Sequence, residues 1–297
     1  MLDITISIVL FHTNENELKN VLNLINKSSL RKKIYLIDNS ANSDLSWFSN
    51  FENVQYIYTG KNIGYGSGHN IAINKAGGSS KYHLIMNSDV EFNHDILQNA
   101  FTFMEANPEV GLISPTILNT SGDIQHFCRK LPTPFDLFAR RFIPNFLKPA
   151  IQKKLDSYIL TDKDYSAIMN IPNLPGCFMF TRTSTLVSCG GFDENFFLYV
   201  EDVDLCRRMH EISSTLYYPK IKITHTLAQG SYKSSKLALY HIASAIYYFN
   251  KWGWLNDKGR IAINNSITQN DNLFYVSRPA STLYLSQVVD TALYKSA

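Results

Sequence analysis

The sequence predicts an α/β fold in which a mostly parallel central sheet is flanked by helices. Short apolar runs typical of strands alternate with segments of helical spacing through the first 115 residues. Two of these runs end in polar triplets, Asp38-Asn39-Ser40 and Asn87-Ser88-Asp89. Alternation of this kind is typical of a sheet covered by helices on both faces, where ligands bind outside the carboxyl ends of the strands.

Each predicted strand of the first half is followed by a segment that suits a helix or a turn. The apolar run 4–10 predicts a strand buried on both faces, and Asn14 with Glu17 forms a capping box that begins the first helix. A glycine-rich loop at 62–70 leads into another helix, which ends at Gly77-Gly78. Further strands are predicted at 34–37, 54–58, 82–86 and 110–114.

The second half is less regular. Between 116 and 170 the alternation stops, and the stretch 127–154 carries seven Lys or Arg against a single acid, Asp136. Phenylalanines repeat there at helical spacing, but Pro144 must interrupt any helix. Beyond Lys236 the chain is predicted to be helical and aromatic through Trp254. Between these regions, strands are predicted at 177–181, 216–218 and 221–225, and short helices at 184–189 and 203–209.

Composition and charge exclude several classes of protein. The 297 residues are 45% hydrophobic and 18% charged, which supplies a real core and excludes a disordered chain. The net charge of +3 is too small for a dedicated nucleic-acid binder. No stretch approaches the roughly 18 to 20 apolar residues of a membrane span. The four cysteines have neither zinc nor redox spacing, so a reducing, cytoplasmic compartment is expected.

Four positions could carry chemistry, and each also has a structural interpretation. Asp38, after the second strand, could accept the N3–H of a pyrimidine base or simply form a turn. Asp89 could hold Mg²⁺ or Mn²⁺, or end its strand in a turn. Asp202 could be a general base for a sugar hydroxyl, although Glu201, Asp202 and Asp204 also suit a helix N-terminus. His225 could bind a metal or phosphate, or be a structural residue.

The order of these parts carries more information than any one of them. Asp38 is followed by Asn-Ile-Gly-Tyr-Gly-Ser-Gly-His-Asn, by the Asn-Ser-Asp strand end and by Gly-Cys-Phe-Met-Phe-Thr-Arg. The most specific stretch, 190–207, reads Gly-Gly-Phe-Asp-Glu-Asn-Phe-Phe-Leu-Tyr-Val-Glu-Asp-Val-Asp-Leu-Cys-Arg. In this order, over roughly residues 4 to 250, the chain resembles family 2 glycosyltransferases of the GT-A fold, in particular the bacterial rhamnosyltransferase-like branch.

The resemblance implies an inverting transfer from a nucleotide-diphosphate sugar with a bound Mg²⁺ or Mn²⁺. By position, Asp38 would contact the nucleobase, Asn62 would belong to the donor-binding residues, and His69 would lie in the phosphate-side loop. Asp89 matches the last acid of the family's Asp-X-Asp motif and would bind the metal. Asn87 stands where many members have the first acid of that motif, although this branch commonly has Asn there.

The resemblance also implies the reaction. Asp202 matches the family's catalytic base, and His225 matches a histidine that completes the metal or diphosphate site in some relatives. We therefore expect a single displacement in which Asp202 takes a proton from the attacking hydroxyl. Two other functions stay open: a catalytically silent nucleotide- or glycan-binding protein, which Asn87 favours, and a nucleotidyltransferase, which the lack of an early glycine-rich triphosphate loop disfavours.

We expect the chain to consist of four segments with different functions. These are a nucleotide-sugar-binding half (1–115), a basic aromatic insertion (116–170), an acceptor and catalytic half of the same domain (171–235) and a C-terminal helical extension (236–297). The resemblance implies dTDP-rhamnose or a UDP-sugar as donor. The implied acceptor is a growing cell-surface glycan of O-antigen or capsule type, carried on a polyprenyl diphosphate.

Two segments suit peripheral contact with the inner face of the cytoplasmic membrane. The stretch 127–154 is basic and rich in phenylalanine, and the helix at 239–254 is aromatic, as anionic membrane surfaces favour. Other interpretations are a solvated insertion for the first, and packing on the main domain or on a second subunit of a homodimer for the second. The apolar stripe in question consists of Leu239, Ile242, Ile246 and Phe249.

Overall fold

A computed structural model describes residues 1–42, 44–142, 148–225 and 234–269. The last part of the predicted C-terminal extension, 270–297, lies outside the described residues. The strands are β1 (Leu2–Leu10), β2 (Lys32–Asp38), β3 (Val54–Tyr58), β4 (Ser80–Met86), β5 (Val90–Phe92), β6 (Val110–Leu118), β7 (Met169–Asn170), β8 (Phe178–Arg182) and β9 (Ser214–His225). The helices are α1 (Glu15–Asn26), α2 (Tyr65–Ala76), α3 (Ile96–Ala106), α4 (Pro134–Phe142), α5 (Lys148–Ile159), α6 (Thr183–Ser188), α7 (Glu201–His210), α8 (Ser235–Trp252) and α9 (Lys258–Gln269), with a 3₁₀ turn at Ser46–Asn50.

The described strands form one nine-stranded sheet in the order β3-β2-β1-β4-β8-β6-β9-β5, with β7 paired to β9. The first four strands of this order are parallel, and Ile6 of β1 pairs with both Ile34 of β2 and Leu84 of β4. Beyond them the sheet is mixed, because β8 is antiparallel to both β4 and β6. The parallel part coincides with the region of regular strand and helix alternation, whereas β8 follows the irregular segment 119–177.

The two faces of β1 differ in chemistry. Its even-numbered residues from Ile4 to Leu10 are fully buried in the main hydrophobic core. On the other face, Ser7 Oγ lies 2.6 Å from His69 Nδ1 and 2.9 Å from His83 Nε2, and Thr5 Oγ1 lies 2.8 Å from His83 Nδ1. Burial lowers the pKa of His83 to about 3 and that of His69 well below its usual value. Both rings are therefore neutral and act as structural hydrogen-bonding groups near neutral pH.

The segment predicted as irregular contains two helices, α4 and α5. Helix α4 begins after Thr133, whose N–H and hydroxyl both donate to the Asp136 carboxylate at 2.8 and 2.6 Å. This arrangement is a capping box with a proline at the first helical position. Helix α4 ends at Phe142, and Pro144 lies outside the described residues.

The two short strands predicted at 216–218 and 221–225 are a single twelve-residue strand, β9. A register shift relative to β6, between Pro115 and Thr116, accommodates the irregularity around Pro219. Strand β9 therefore carries His225 to the sheet end beside Val90 of β5.

Helix α8 packs on the start of α7 and on the loop before it. Its buried residues Ala245, Tyr248 and Phe249 share a hydrophobic cluster with Phe196, Val200 and Val203. The predicted apolar stripe is divided, because Phe249 is buried in that cluster while Leu239 and Ile246 are 66% and 40% exposed. No helix in the described part of the chain has the length and apolar character needed to cross a membrane.

Candidate active site

The backbone is strained just before helix α7. Tyr199 and Val200 have φ angles of 69° and 68°, in the left-handed region that a β-branched residue rarely adopts. Strain of this kind persists only where the surroundings enforce it, and here Val200 packs against α8. The consequence is a fixed direction for the first turn of α7, which begins with Glu201 and Asp202.

Asp202 is held by backbone donors on two sides. Its Oδ2 accepts the Gly176 N–H at 3.1 Å and its Oδ1 accepts the Val203 N–H at 2.9 Å. A Cβ at position 176 would lie 3.1 Å from the Asp202 Cβ, so glycine permits this close approach. Burial raises the pKa of Asp202, and burial together with the Asp202 charge raises that of Glu201. A carboxylate that is fixed in place and more basic than usual is suited to accept a proton.

Tyr65 connects Asp202 to the strand end of β4. Its hydroxyl oxygen lies 2.9 Å from the Gly176 carbonyl oxygen and 3.0 Å from Asn87 Oδ1, so its one proton is shared between these two acceptors. Burial, with added repulsion from nearby groups that include Asp202 and Asp89, raises the pKa of Tyr65 well above its usual value. The phenol is therefore a permanent donor at the centre of the site.

Asn87, Asp89 and His225 lie together at the ends of β4 and β9. His225 Nε2 is 3.3 Å from Asp89 Oδ1 and 3.3 Å from Asn87 Nδ2. Burial alone would lower the pKa of His225, but the hydrogen bond with Asp89 and the proximity of Cys177 raise it to about 10. The tract from Asp202 through Gly176, Tyr65 and Asn87 to the Asp89 and His225 pair is thus continuous.

Asp89 and His225 could supply only part of a metal site. In the ranges that the structure describes, no three His, Cys, Asp or Glu side chains converge to hold an ion. Two ligands about 2.1 Å from an octahedral ion lie about 3 Å apart, which agrees with the spacing of this pair. Carboxylate and imidazole also suit Mn²⁺. The residues present fit a divalent ion whose other ligands come from the substrate.

Asp38 lies at the carboxyl end of β2, beside the ends of β1 and β3. Its Oδ1 accepts the Ser40 N–H at 2.9 Å and its Oδ2 accepts the Tyr56 hydroxyl at 2.7 Å. The turn interpretation is therefore observed, and the side chain has no exposed surface. Contact with a nucleobase stays a prediction. The adjacent Asn39 donates to the Gly64 carbonyl at 2.9 Å and ties this strand end to α2.

Two residues assigned to the donor loop have local roles. Asn62 is exposed, and its Oδ1 accepts the Gly64 N–H at 2.9 Å. His69 does not lie in the loop as expected: it lies in α2, is fully buried and contacts Ser7. The expected position was wrong because the helix begins at Tyr65, earlier than the glycines suggest. A contact of either residue with phosphate stays a prediction.

Of the three acids at the start of α7, Asp204 does not face the site. Its carboxylate accepts Lys251 Nζ and Trp252 Nε1 at 2.8 Å each, and pairs with Arg208 at 2.8 Å. It has no exposed surface. Asp204 therefore joins α7 to α8 and has a structural role, as its position in the first turn of the helix allowed.

An open cleft of about 660 Å³ lies elsewhere, between α1, β5 and β9. Asn23, Phe92 and Lys222 are among its lining residues, and none of Asp38, Asp89 and Asp202 is. We assign the candidate site to the tract from Asp202 to Asp89 rather than to this cleft, because the tract combines half-buried carboxylates, strained backbone and perturbed pKa values.

Sequence reasoning missed Tyr65 and Gly176, which connect the two acidic sites. They are 111 residues apart, so no local pattern pairs them. It also missed Trp252, which was identified only as part of an aromatic helix. An aromatic residue between two glycines, as in Gly64-Tyr65-Gly66, is the one signal that could have drawn attention to this loop.

A sheet of this strand order, with carboxylates at the ends of β2, β4 and the first turn of α7, defines the GT-A class of glycosyltransferase fold. Residues 7–157, just over half of the chain, match the family described as Glycosyl transferase family 2. The chain belongs to this family, which confirms the family and fold predicted from its motifs.

Named relatives cover most of the chain at modest identity. Rhamnosyltransferase WbbL of Escherichia coli K12 is 28% identical over 253 residues, 81% of this chain and 90% of that protein. N-acetylglucosaminyl-diphospho-decaprenol L-rhamnosyltransferase of Mycobacterium tuberculosis is 24% identical, over 75% of this chain and 76% of that protein. Low-salt glycan biosynthesis hexosyltransferase Agl10 of Haloferax volcanii is 26% identical over 210 residues. This match covers 70% of this chain and 62% of the length of Agl10.

Solved structures agree on the fold. The crystal structure of GalNAc-T7 with UDP, GalNAc and Mn²⁺ has a TM-score of 0.61 at 13% identity. The match covers 95% of this chain and 53% of GalNAc-T7. At this level of identity the likeness supports the architecture and nothing finer.

Proposed function

We propose that this protein is an inverting glycosyltransferase that moves a sugar from a nucleotide diphosphate to a hydroxyl of a growing glycan. The observation that carries the proposal is the continuous tract from Asp202 to Asp89. One end offers a fixed carboxylate of raised pKa and the other a carboxylate and imidazole pair. Proton removal and stabilisation of a leaving diphosphate need these two kinds of group in one cleft.

Asp202 would act as the base in a single displacement. The acceptor oxygen bonds to the anomeric carbon while the bond from that carbon to the diphosphate oxygen breaks. The acceptor proton passes to the Asp202 carboxylate, and the nucleoside diphosphate departs with the electron pair. The two backbone N–H groups on Asp202 leave further oxygen lone pairs free and hold the carboxylate in position.

Asp89 and His225 would hold a divalent ion, Mg²⁺ or Mn²⁺, as a pair completed by diphosphate oxygens. When bound, such an ion supplies positive charge to the departing diphosphate. In its absence His225 is protonated near neutral pH, so ion binding must displace a proton. Asp38 would recognise the base through the lone pairs not used by Ser40 and Tyr56, once the base displaces the groups that cover this fully buried side chain.

Relatives named as rhamnosyltransferases support dTDP-rhamnose as the donor, with a UDP-sugar as the alternative. The diphospho-decaprenol in the name of the Mycobacterium tuberculosis relative supports a lipid-diphosphate-linked acceptor. An O-antigen or capsule role and dimer formation are further expectations from the sequence.

Peripheral membrane contact would follow from such an acceptor. An apolar row consisting of Leu239, Ile246, Trp254 and Leu255 is exposed on α8 and the turn after it, at 66%, 40%, 40% and 79%. We expect the protein to sediment with anionic liposomes at low salt more than with neutral ones. Equal sedimentation with both would remove the membrane part of the proposal.

The decisive test compares Asp202→Asn with Asp204→Asn on the same helix. Asp202→Asn should lower kcat by about a hundredfold or more, the usual contribution of a general base, and leave nucleotide affinity and Tm nearly unchanged. Asp204→Asn should lower Tm, because it weakens the contacts to Lys251 and Trp252, and retain most of its rate. Donor turnover with Mn²⁺ and an acceptor is the assay. An Asp202→Asn enzyme with more than a few per cent of wild-type rate would contradict the proposal.

A further inference from the structure

Arg129 lies in the segment between β6 and α4, which the sequence assigned to a basic surface. Its backbone N–H donates to the Asn173 carbonyl at 3.1 Å, and the two residues form an isolated antiparallel bridge. Three residues after Asn173, the Gly176 N–H donates to Asp202. The bridge therefore places Arg129 beside the chain segment that contacts the proposed base.

Among the described residues, none forms a hydrogen bond or an ion pair with the guanidinium of Arg129. Its Nε is buried and has no hydrogen-bond acceptor, and the nearest ring is that of Phe127, with 5.8 Å from Cζ to the centroid. The neighbouring Lys130 behaves differently, because its Nζ donates to Ser157 Oγ at 3.0 Å. A buried donor without an acceptor is unfavourable, so an oxygen supplied by a ligand would be bound preferentially there.

Arg129 is close enough to Asp202 for its charge to lower the pKa of that carboxyl, against the larger effect of burial. Among the described residues, however, no ion pair joins the two side chains. Arg129 is half-buried, lies near the site and forms no ion pair there. Its guanidinium is therefore suited to bind an anionic ligand, since its planar array of N–H donors matches the geometry of phosphate oxygens.

We infer that Arg129 binds a phosphate oxygen of a substrate diphosphate beside Asp202. This inference rests on the proposed function, in which both the donor and a lipid-linked acceptor carry a diphosphate. Arg129 thus belongs to the substrate site and not to a membrane-facing basic surface, and it marks the insertion 116–170 as a contributor to substrate recognition.

The test uses Arg129→Gln, Arg129→Lys and, as a matched control, Lys130→Gln in the full-length protein. For the donor, calorimetry compares UDP and dTDP with uridine and thymidine, in the presence of Mn²⁺. For the acceptor, KM is compared between a short-chain lipid diphosphate sugar and the same sugar as a neutral alkyl glycoside. Tm and circular dichroism verify folding of each variant.

Arg129→Gln should lower the affinity for one diphosphate ligand by about tenfold to a hundredfold, the usual effect of losing a charged hydrogen bond. The affinity for the phosphate-free counterpart of that ligand should not change. A lower affinity for the nucleotide would show that Arg129 binds the donor diphosphate. A higher KM for the lipid diphosphate sugar would show that it binds the acceptor diphosphate. Arg129→Lys should show a smaller loss for the same ligand, and it carries the test if Arg129→Gln does not fold. Lys130→Gln should match wild type.

An active wild-type enzyme with Arg129 variants of unchanged affinity for both diphosphates would overturn the inference alone. Equal losses for the phosphate-free ligands would also overturn it, because they would indicate a structural role. A wild-type protein that neither binds nucleotide nor transfers sugar would overturn the proposed function, and the inference with it.

Discussion

Lowering the pH from 7.5 to 5.0 should destabilise the fold through His83, which lies between Thr5 and Ser7 in the interior. Its pKa is about 3 in the folded protein, whereas an unfolded histidine has a pKa of about 6.5. Between these values the unfolded chain binds a proton that the folded chain does not. Stability is therefore complete above about pH 6.5 and declines as the pH falls. At pH 5.0 the loss from His83 is about 2 kcal/mol, since each pH unit below 6.5 costs about 1.36 kcal/mol.

Urea unfolding of the wild type, of His83→Gln and of the surface control His126→Gln would measure this loss. His83→Gln should be less stable at pH 7.5 but should lose about 2 kcal/mol less than the wild type on going to pH 5.0. His69 contributes to the remaining decline, because burial lowers its pKa as well. The His126 variant should follow the wild type, because that side chain is exposed. Parallel declines in the wild type and in His83→Gln would refute the reasoning.

Three further substitutions test the site and its support. Trp252→Phe removes the indole donor to Asp204 and should cost about 1.5 to 3 kcal/mol, visible as a lower Tm; an unchanged Tm would show that the hydrogen bond is dispensable. Asn87→Asp adds a charge beside the proposed ion site and should tighten Mn²⁺ binding about tenfold by titration of free Mn²⁺, whereas unchanged affinity would place the ion elsewhere. Gly176→Ala introduces a Cβ 3.1 Å from that of Asp202 and should lower kcat about tenfold or more with normal nucleotide affinity; a wild-type kcat would mean that the position of Asp202 is not critical.

The strands of the first half could be predicted because their signals are local. The run 54–58 coincides with β3, and the predicted strands at 4–10, 34–37 and 82–86 each lie within an observed strand. The spacing of the phenylalanines indicated a helix near α4 but did not locate its start, since that start depends on the Thr133 and Asp136 capping box. The basic residues around it suggested a surface, which concealed the inward position of Arg129.

The positions of the three predicted acids in the fold could be inferred for a related reason. Asp38 and Asp89 follow apolar runs, and Asp202 begins a helix, so each could be placed at the end of an element from neighbouring residues alone. Tyr65 could not be found, because its significance depends on contacts with Asn87 and a carbonyl 111 residues away. Local order thus predicts where charges end a strand, and only tertiary packing determines which charges meet.

That packing also changes the interpretation of the glycine-rich loop. A Cβ at Gly64 would lie 2.5 Å from the Phe197 carbonyl, and the same carbonyl accepts the Tyr65 N–H at 3.2 Å. Farther along α2, Asn70 accepts the Phe192 N–H and donates to its carbonyl, both at 2.9 Å. The loop before α7 is therefore fastened against α2 along its length, and glycine at 64 is required by this contact whether or not a phosphate binds nearby. Because the same contact positions the Tyr65 hydroxyl beside Gly176, whose N–H donates to Asp202, the position of Asp202 depends on the first half of the chain as well as on the second.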